Sequence, residues 1–380
     1  MKILSVFGTR PEAVKMAPIV RLLSQTSGIE SRVCVTAQHR QMLDQVLNLF
    51  NITPDYDLNL MRDDQTLAQL SANIFTHLDP VLADFNPDWV LAVGDTTTVV
   101  TTSLLAFYRR IKFGHVEAGL RTRNKWHPFP EEINRRLATV TADLHFAPTE
   151  WSQKNLIREG VDTATVIVTG NTVIDALQFV SKQPEPKSVQ DLLDTLDLRN
   201  EKHQNNKKSA SIPRRLILVT AHRRENFGKP IEDICHALIE LARGGDVEII
   251  YPVHLNPNVQ EPVYRLLQGL NHITLLPPLD YLPLIHLMKH ASLILTDSGG
   301  IQEEAPAFGI PTLVLREVTE RPEGVEAGTL KLVGTDTDKI VHEAKRLLND
   351  ESAYAKMARA GNPFGNGHAA EKIIQALLHT

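Results

Sequence analysis

The sequence has little cysteine and no long apolar run. Only two of its 380 residues are cysteines, Cys34 and Cys235, and they lack the spacing of a CxxC pair. Isolated cysteines of this kind indicate reduced, buried thiols and a cytoplasmic protein. No apolar run approaches the roughly 20 residues that span a bilayer, and the apolar start MKILSVFG is too short for a signal peptide. We therefore expect no membrane partner.

An excess of either charge is also missing. Lys and Arg number 40 and Asp and Glu number 45, which gives a net charge of −5. The sequence contains no strong basic stripe, so nucleic acid is not an expected partner.

Three common cofactor motifs are absent as well. The first apolar run ends at a lone Gly8 rather than at GxGxxG, which disfavours a dinucleotide bound in the usual way. No GxxxxGK[ST] motif occurs, which excludes an NTPase of that type. The fifteen histidines show neither HExxH nor paired Cys/His spacing. The sequence therefore predicts no metal and no redox cofactor.

What the sequence does contain is a regular alternation of short apolar runs and helical patterns. Strands are predicted at residues 3–7, 32–36, 88–93, 112–116, 144–147, 165–169, 216–220, 247–253, 273–276, 293–295 and 312–315. Helices are predicted at residues 13–23, 42–50, 133–138, 231–243, 259–269, 281–290, 339–349, 351–359 and 371–378. This alternation predicts right-handed βαβ units on parallel sheets, which is an α/β fold.

A chain of this length fits two domains. Residues 1–180 are predicted to form an N-terminal Rossmann-like domain, and residues 214–364 a C-terminal one. Residues 181–213 are rich in proline and polar residues and are predicted to be a linker and a surface loop. The last helix, at about 365–380, is predicted to pack back on the N-terminal domain. We expect two doubly wound domains facing across a cleft, with ligands at the carboxyl ends of the strands.

The stretch Leu293–Pro306, LILTDSGGIQEEAP, has the layout of an anion site. A strand, a tight turn and a helix start present free backbone N–H groups and the positive end of a helix dipole. Gly299 and Gly300 allow close approach of a phosphate, and a carboxylate one turn later suits sugar hydroxyls. The alternative is a helix N-terminus whose acids are placed for the dipole, and this stretch alone leaves both open.

Polar residues follow six of the predicted strands, where α/β folds place their chemistry. These residues are Arg10, Asp95, Glu117, His222, His254 and Asp297. One such residue alone is more often a cap or a turn residue, but six together indicate an active site. Asp95 and Glu117 are predicted to converge with Glu131 in the first domain, with His222 across the cleft. Crowded carboxylates equip one group as an acid and another as a base, although Glu131 also fits a helix N-terminal acid.

These motifs resemble the non-hydrolysing UDP-N-acetylglucosamine 2-epimerases of bacteria. The shared stretches are FGTRPEAVKMAP, TAQHRQMLDQ, GDTTT, GHVEAGLRT, PEEINR, TGNTVIDAL, TAHRREN, YPVHLNPNV, LTDSGGIQEEAP and ERPEGVEAGT. They run from residue 7 to about residue 329, and GNPFGNGHA near the C-terminus is also similar to the family's ending. The resemblance therefore covers nearly the whole chain.

The resemblance implies a fold like that of the GT-B glycosyltransferases, a homodimer, and interconversion of UDP-N-acetylglucosamine and UDP-N-acetylmannosamine. It implies anti elimination of UDP to 2-acetamidoglucal, followed by re-addition of UDP with a proton delivered to the other face of C2. The product would supply a bacterial surface polysaccharide such as a capsule. No cofactor is implied.

Site residues carry over by position in the matching motifs. Asp95, Glu117 and Glu131 match the acid/base carboxylates, and His222 matches the residue that serves the leaving diphosphate. Positions that match nucleotide contacts are Arg10, Lys15, Ser298, Gly299, Gly300, Glu304 and Arg321. Many members bind a second UDP-N-acetylglucosamine as an allosteric activator, and its site is matched by Gln38, Gln41, Arg223 and His254. Asp64 stands where several activated members carry arginine, so the need for an activator stays open.

Other functions remain open. A hydrolysing relative would release N-acetylmannosamine and UDP, and an epimerase could act on a modified UDP-sugar. A GT-B glycosyltransferase would use the same nucleotide site. A sensor without catalysis is disfavoured, because binding alone needs no acid/base carboxylates.

Overall fold

The computed structural model describes residues 1–37, 40–60, 62, 64–198 and 214–380. The chain divides into two compact units. Unit 1 comprises Met1–Gln178 and Phe364–Thr380, and unit 2 comprises Phe179–Pro363. Each unit contains its own parallel sheet with interleaved helices, so the predicted α/β class with two units is confirmed.

The helices and strands follow the predicted alternation. The strands are β1 (Lys2–Phe7), β2 (Glu30–Val35), β3 (Tyr56–Asp57), β4 (Trp89–Val93), β5 (Lys112–Val116), β6 (Leu144–Ala147), β7 (Val166–Val168), β8 (Arg215–Thr220), β9 (Val247–Pro252), β10 (Ile273–Leu276), β11 (Leu293–Thr296), β12 (Thr312–Val314) and β13 (Leu330–Leu332). The helices are α1 (Arg10–Leu23), α2 (Arg40–Phe50), α3 (Leu67–Phe85), α4 (Thr97–Tyr108), α5 (Glu131–Thr141), α6 (Glu150–Arg158), α7 (Thr172–Val180), α8 (Lys187–Thr195), α9 (Lys229–Ala242), α10 (Pro257–Leu267), α11 (Tyr281–His290), α12 (Gly299–Glu304), α13 (Pro322–Glu326), α14 (Thr337–Asn349), α15 (Glu351–Ala358) and α16 (Ala369–Leu378). Within the described ranges, none of the helices combines the length and the apolar character that a membrane crossing requires.

The two sheets share one strand order over six strands, and the sheet of unit 1 has a seventh strand at one edge. The order in unit 1 is β3-β2-β1-β4-β5-β6-β7, and in unit 2 it is β10-β9-β8-β11-β12-β13. The order reverses between β1 and β4 in the first sheet and between β8 and β11 in the second, and both of these pairs are parallel. Doubly wound sheets bind ligands at the carboxyl ends of the strands beside such a reversal, which we call the switch point.

The strands beside the switch points are buried on both faces. All five residues of β4 are buried, as are the five C-terminal residues of β1 and the central residues of β8. Helices that cover both faces of a parallel sheet require such continuous apolar runs. The first polar residues to reach the ligand edge are therefore those that directly follow the strands.

Several described elements fall outside the ranges predicted for individual strands and helices, namely the helices α3, α4, α6 and α7 and the short elements β3, β13, α8 and α13. The strands β3 and β13 and the helix α13 are too short to leave a periodic signal. The helix α8 lies inside the stretch 181–213 that was expected to be linker and loop, and Pro186 precedes its first residue rather than interrupting it. Its buried residues are Val189 and Leu193, and it packs on α11. Residues 199–213 of the expected linker lie outside the described residues.

The C-terminal residues return to unit 1, where α16 packs against α1. The carboxylate of Asp175, on α7, accepts hydrogen bonds from the backbone N–H groups of Ala369 (3.2 Å) and Ala370 (2.9 Å). These are the first residues of α16, where N–H groups lack partners within the helix. Asp175 therefore caps α16 from a different helix.

Candidate active site

A buried carboxylate joins the two loops at the switch point of unit 1. Glu12, on α1, is 4% exposed, and its Oε2 accepts from the backbone N–H groups of Gly8 and Thr9, both at 2.8 Å. Its Oε1 accepts from Thr96 Oγ1 at 2.5 Å, in the loop after β4. Burial raises the pKa of Glu12, although these hydrogen bonds act in the opposite direction. One side chain therefore fixes the loops that carry Arg10 and Asp95.

Glu117 directly follows β5 in a strained backbone conformation. Its φ is 62°, in the left-handed region, which costs a non-glycine residue roughly 1–2 kcal/mol. Its side chain is 8% exposed and forms an ion pair with Lys15, on α1, through Oε1. Asn171 donates a hydrogen bond from Nδ2 to the same oxygen at 3.2 Å. Strain that the surroundings hold in place is typical of functional positions.

Asp95 lies beside Glu117, because it follows β4, the neighbouring strand. Val93 and Val116 are paired in register, and Gly94 N donates to Val116 O at 3.0 Å. His115, buried in β5, donates its Nε2–H to Gly94 O at 2.7 Å. Burial lowers the pKa of His115 to about 3, so this histidine stays neutral and acts as a support.

Two residues of α5 hold Asp95. Arg135 Nη2 lies 2.7 Å from Asp95 Oδ2, and Asn134 Nδ2 donates to Asp95 O at 3.0 Å. The Arg135 side chain is 6% exposed and that of Asp95 is 25% exposed. Sequence reasoning missed Arg135, although the motif PEEINR contains it.

The adjacent acids Glu131 and Glu132 have different environments. Glu132 is fully buried, and its two carboxylate oxygens accept from the backbone N–H groups of Thr122 and Arg123, each at 3.0 Å. Glu132 therefore anchors the loop after β5. Glu131, the predicted acid/base residue, is half-buried at the first position of α5. Both acids stand in the first helical turn, so the sequence pattern could not separate them.

In unit 2, Asp297 joins the loops at the switch point. It follows β11, is fully buried, and its Oδ2 accepts from the backbone N–H groups of His222 and Arg223, both at 2.8 Å. Asn226 Nδ2 donates to the same oxygen at 2.9 Å. The other oxygen, Oδ1, lies 3.7 Å from His222 Nδ1. The sequence placed Asp297 at a strand end but assigned it no role.

The ring of His222 stacks on that of His254, with centroids 5.2 Å apart and an angle of 18° between the planes. Burial lowers the pKa of His222, while the charge of Asp297 acts to raise it. The side chain is still 35% exposed, so a ligand can reach it. The structure therefore brings His222, Arg223 and His254 together in unit 2.

The glycine turn lies directly against a guanidinium. A Cβ built on Gly299 would lie 2.8 Å from Arg321 Nη1 and 2.9 Å from its Cζ, so a larger residue here would displace the guanidinium. Arg321 is held by Glu303, with Nη2 2.7 Å from Oε1, and by Glu320, with Nη1 3.2 Å from Oε2. The turn Ser298–Gly300 and the guanidinium of Arg321 together offer hydrogen-bond donors of the kind that bind an anion.

Glu320 ties this cluster to the loop that carries His222. Burial acts to raise the pKa of Glu320, but the charges of Arg321 and Arg316 outweigh it and lower the pKa to about 2. Arg316 Nη1 donates to Glu320 Oε2 at 2.9 Å, and its Nε donates to Glu225 Oε1 at 2.5 Å. Glu225 lies in the loop after β8, so one ionic network spans both sides of the switch point.

Glu304, the expected ribose contact, is 4% exposed near the C-terminal end of α12. Tyr281 Oη donates to its Oε1 at 2.8 Å. Of the other residues matched to the activator site, Gln38 lies outside the described residues, as does the side chain of Gln41. Asp64 lies in a turn with a φ of 55°.

The two clusters are suited to different steps. Unit 1 offers carboxylates at adjacent strand ends beside a lysine, which suits proton transfer. Unit 2 offers a glycine turn, an arginine and a histidine, which suits a diphosphate. In the described ranges, no group of three or more His, Cys, Asp or Glu side chains is arranged to hold a metal ion.

Comparison with known proteins places the chain in a family. A family model described as UDP-N-acetylglucosamine 2-epimerase matches residues 21–378. The chain belongs to this family. The UDP-N-acetylglucosamine 2-epimerase of Yersinia pestis is 56% identical over 378 residues, which cover 99% of this chain and 98% of that protein. The enzymes of this family are isomerases, so the predicted family and enzyme class are confirmed.

Solved structures of the family extend the similarity to the fold. The crystal structure of UDP-GlcNAc 2-epimerase from Neisseria meningitidis bound to UDP-GlcNAc is 48% identical and covers all of both chains, with a TM-score of 0.91. The Methanocaldococcus jannaschii enzyme in complex with UDP-GlcNAc and UDP is 33% identical, also over all of both chains, with a TM-score of 0.81.

Asp297→Asn tests the link across the switch point of unit 2. The amide oxygen still accepts from the two backbone N–H groups, but the negative charge beside His222 is lost. We expect the pKa of His222 to fall further, because an opposite charge favours the protonated imidazole. Weaker hydrogen bonds should also destabilise the protein by about 1–3 kcal/mol.

Histidine titration by NMR and urea unfolding measure both effects. Asp246→Asn is the control, because Asp246 pairs with Arg215 near the surface. An unchanged His222 titration in Asp297→Asn would show that the carboxylate does not act on this ring.

The low pKa of Glu320 predicts a pH dependence of stability. A depressed folded-state pKa contributes stability that is present above the unfolded-state value, about 4.5, and is lost as the pH falls toward about 2. Glu320→Gln should lower the free energy of unfolding at pH 7 by on the order of 2 kcal/mol and flatten its decline below pH about 4.5. Urea midpoints from pH 7 to 2.5 check this, with the exposed Glu371→Gln as control. Parallel pH curves for wild type and Glu320→Gln would contradict the assignment.

Proposed function

We propose that the protein interconverts UDP-N-acetylglucosamine and UDP-N-acetylmannosamine without hydrolysis. The observation that carries the proposal is the placement of Asp95 and Glu117 at neighbouring strand ends in a member of this family. The named ligands of the Neisseria and Methanocaldococcus relatives, UDP-GlcNAc and UDP, support the substrate class. The net reaction inverts one carbon and neither oxidises nor reduces it.

The proposed chemistry is an elimination followed by an addition. C2 of an N-acetyl hexose is not acidic, so simple proton exchange would be slow. A base removes the C2 proton while the C1–O bond to UDP breaks, and the electron pair of the C–H bond forms the C1=C2 double bond of 2-acetamidoglucal. The UDP oxygen then re-forms the bond to C1 as an acid delivers a proton to the opposite face of C2. Each positioned proton transfer contributes about 10²–10⁴-fold in rate.

We assign the proton transfers to Asp95, Glu117 and Glu131. Lys15 and Asn171 both engage Oε1 of Glu117, so we assign its proton transfer to Oε2. Asp95 is held by the guanidinium of Arg135 at 2.7 Å. Opposite faces of C2 require two separate groups, and a set of carboxylates supplies them.

We assign the leaving UDP to unit 2. The hydroxyl of Ser298, the backbone N–H groups of Gly299 and Gly300, the guanidinium of Arg321 and the imidazole of His222 would stabilise the negative charge that develops on the diphosphate. Glu304 would accept from the ribose hydroxyls, with Tyr281 fixing one of its oxygens. The remaining proposed nucleotide contacts are Arg10 and Lys15.

The proposal includes a second UDP-N-acetylglucosamine as an activator, with Arg223 and His254 at its site. Both residues lie beside His222, the first through the shared partner Asp297 and the second by ring stacking. We also propose that the protein works in the cytoplasm and that its product supplies a surface polysaccharide such as a capsule.

Incubation with UDP-N-acetylglucosamine in D₂O tests the reaction. We expect deuterium at C2 of both intact UDP-sugars, because the proton that returns to C2 comes from a group that exchanges with solvent. Asp95→Asn and Glu117→Gln should each lower the exchange rate by at least about 100-fold while UDP affinity stays within about threefold. Mass spectrometry, NMR and calorimetry measure these quantities.

The other functions give different products in the same experiment. Free N-acetylmannosamine and UDP, with no UDP-N-acetylmannosamine, would identify a hydrolysing enzyme. Exchange only with a modified UDP-sugar would redirect the substrate assignment. Near-wild-type exchange in both carboxylate variants would refute their roles.

We also propose that the protein is a homodimer through the face formed by α4 and α5. Exposed apolar residues cluster on these packed helices: Phe107 (62% exposed), Tyr108 (67%), Ile133 (37%), Leu137 (47%) and Val140 (82%). Large exposed apolar side chains concentrated on two packed helices indicate an interface. A second copy is the proposed occupant, since dimers are what the family resemblance implies.

Val140→Glu should convert the dimer to a monomer at micromolar concentration, because the interface would then bury an unpaired carboxylate. Light scattering coupled to size-exclusion chromatography measures the mass. Val318→Glu is the matched control, since Val318 is 69% exposed in unit 2. A monomeric wild type, or a dimer that survives in Val140→Glu, would contradict the proposed face.

A further inference from the structure

The chain re-enters unit 1 at Phe364, and its first residues there press against the turn that precedes α7. A Cβ on Gly170 would lie 3.3 Å from Gly365 Cα, and a Cβ on Gly365 would lie 3.2 Å from Gly170 Cα. Both glycines have a positive φ, 92° and 126°. Asn171 N donates to Phe364 O at 2.7 Å. The returning chain therefore fixes the backbone of Asn171.

The side chain of Asn171 is fixed at both of its polar atoms. It is 3% exposed, its Oδ1 accepts from Val173 N at 3.0 Å, and its Nδ2 donates to Glu117 Oε1 at 3.2 Å. The first bond caps the start of α7, a helix end that needs an acceptor. The second bond has no part in capping, and it reaches a residue 54 positions earlier in the chain.

We propose that Asn171 is a positioning residue for Glu117, and that the returning segment Phe364–Gly365 holds Asn171 in the place this requires. The inference rests on the proposed function, because it gives Asn171 importance through the acid/base role of Glu117. Asn171 itself is not assigned a contact with the substrate.

The surroundings of Glu117 make such support necessary. Its left-handed backbone is costly and persists only where neighbouring groups hold it. Lys15 from α1 and Asn171 from the turn before α7 converge on Oε1, while Oε2 faces the backbone at Gly94. The ion pair with Lys15 restrains Glu117 Oε1 from one direction only. The hydrogen bond from Asn171 restrains the same oxygen from a second direction and thereby fixes the plane of the carboxylate.

Asn171→Asp separates positioning from capping. The substitution is isosteric and keeps the Oδ1 acceptor for α7, but it replaces the donor to Glu117 by a second negative oxygen. We expect kcat to fall about 10–100-fold with little change in KM, which is typical of a misplaced catalytic group. The acidic limb of the kcat/KM profile should move to higher pH, because like charges oppose ionisation.

Thr169→Val is the matched control. Thr169 is 2% exposed in the same turn, and its hydroxyl donates to Gly170 O at 2.8 Å rather than to Glu117. This variant should lose stability without a shift of the pH profile. Melting temperatures and UDP affinities of both variants show whether each one is folded.

Gly365→Ala tests the returning segment without changing any polar group. The added Cβ would lie 3.4 Å from Asn171 N and 3.2 Å from Gly170 Cα, so the turn must shift. We expect a fall in kcat of at least about fivefold. Gly361→Ala, where a Cβ would meet no atom within 4 Å, should keep the wild-type rate.

A folded Asn171→Asp variant with wild-type kcat and an unmoved acidic limb would overturn the inference. So would a Gly365→Ala variant that matches Gly361→Ala in rate. Absence of C2 exchange in the wild type would instead overturn the proposed function and, with it, this inference. If the wild type is active and Glu117→Gln is inactive, the rates of Asn171→Asp and Gly365→Ala test the positioning role alone.

Discussion

A buried carboxylate at each switch point is the interaction on which both clusters depend. Loops that leave parallel strands carry backbone N–H groups without partners in the sheet, and buried donors need acceptors. In unit 1 the acceptor is Glu12, which binds the loop after β1 and the hydroxyl of Thr96 after β4. In unit 2 it is Asp297, which follows β11 and binds two N–H groups after β8. The same physical need is met by a helix residue in one unit and by a strand-end residue in the other.

Charge is distributed unequally around these two fixed points. The strand ends of unit 1 present Asp95 and Glu117, each held by a basic side chain. The switch point of unit 2 presents an arginine and a glycine turn, and the acids near it are taken up in ion pairs. Proton transfer needs carboxylates, whereas a departing diphosphate needs donors and positive charge. The proposed elimination needs both kinds of group.

Much of this was predictable from the sequence, because strands buried on both faces leave continuous apolar runs and place polar residues just beyond their ends. That rule found Asp95, Glu117 and His222. It gave no role to Arg135, Asn171 or Asp297, since their partners lie 40, 54 and 75 positions away and no local pattern records such contacts. The prolines before α8 led to the prediction of a linker in place of this helix. Glu131 and Glu132 both lie in the first turn of α5, so the sequence pattern could not distinguish their roles.

We propose that the loops held by Asp297 bind the diphosphate of UDP. A crystal structure of the protein with UDP tests it most directly. We expect diphosphate oxygens within hydrogen-bonding distance of the backbone N–H groups of Gly299 and Gly300 and of the side chains of Ser298, Arg321 and His222, with the ribose at Glu304. UDP bound with its diphosphate away from this turn, or bound only beside the carboxylates of unit 1, would contradict it.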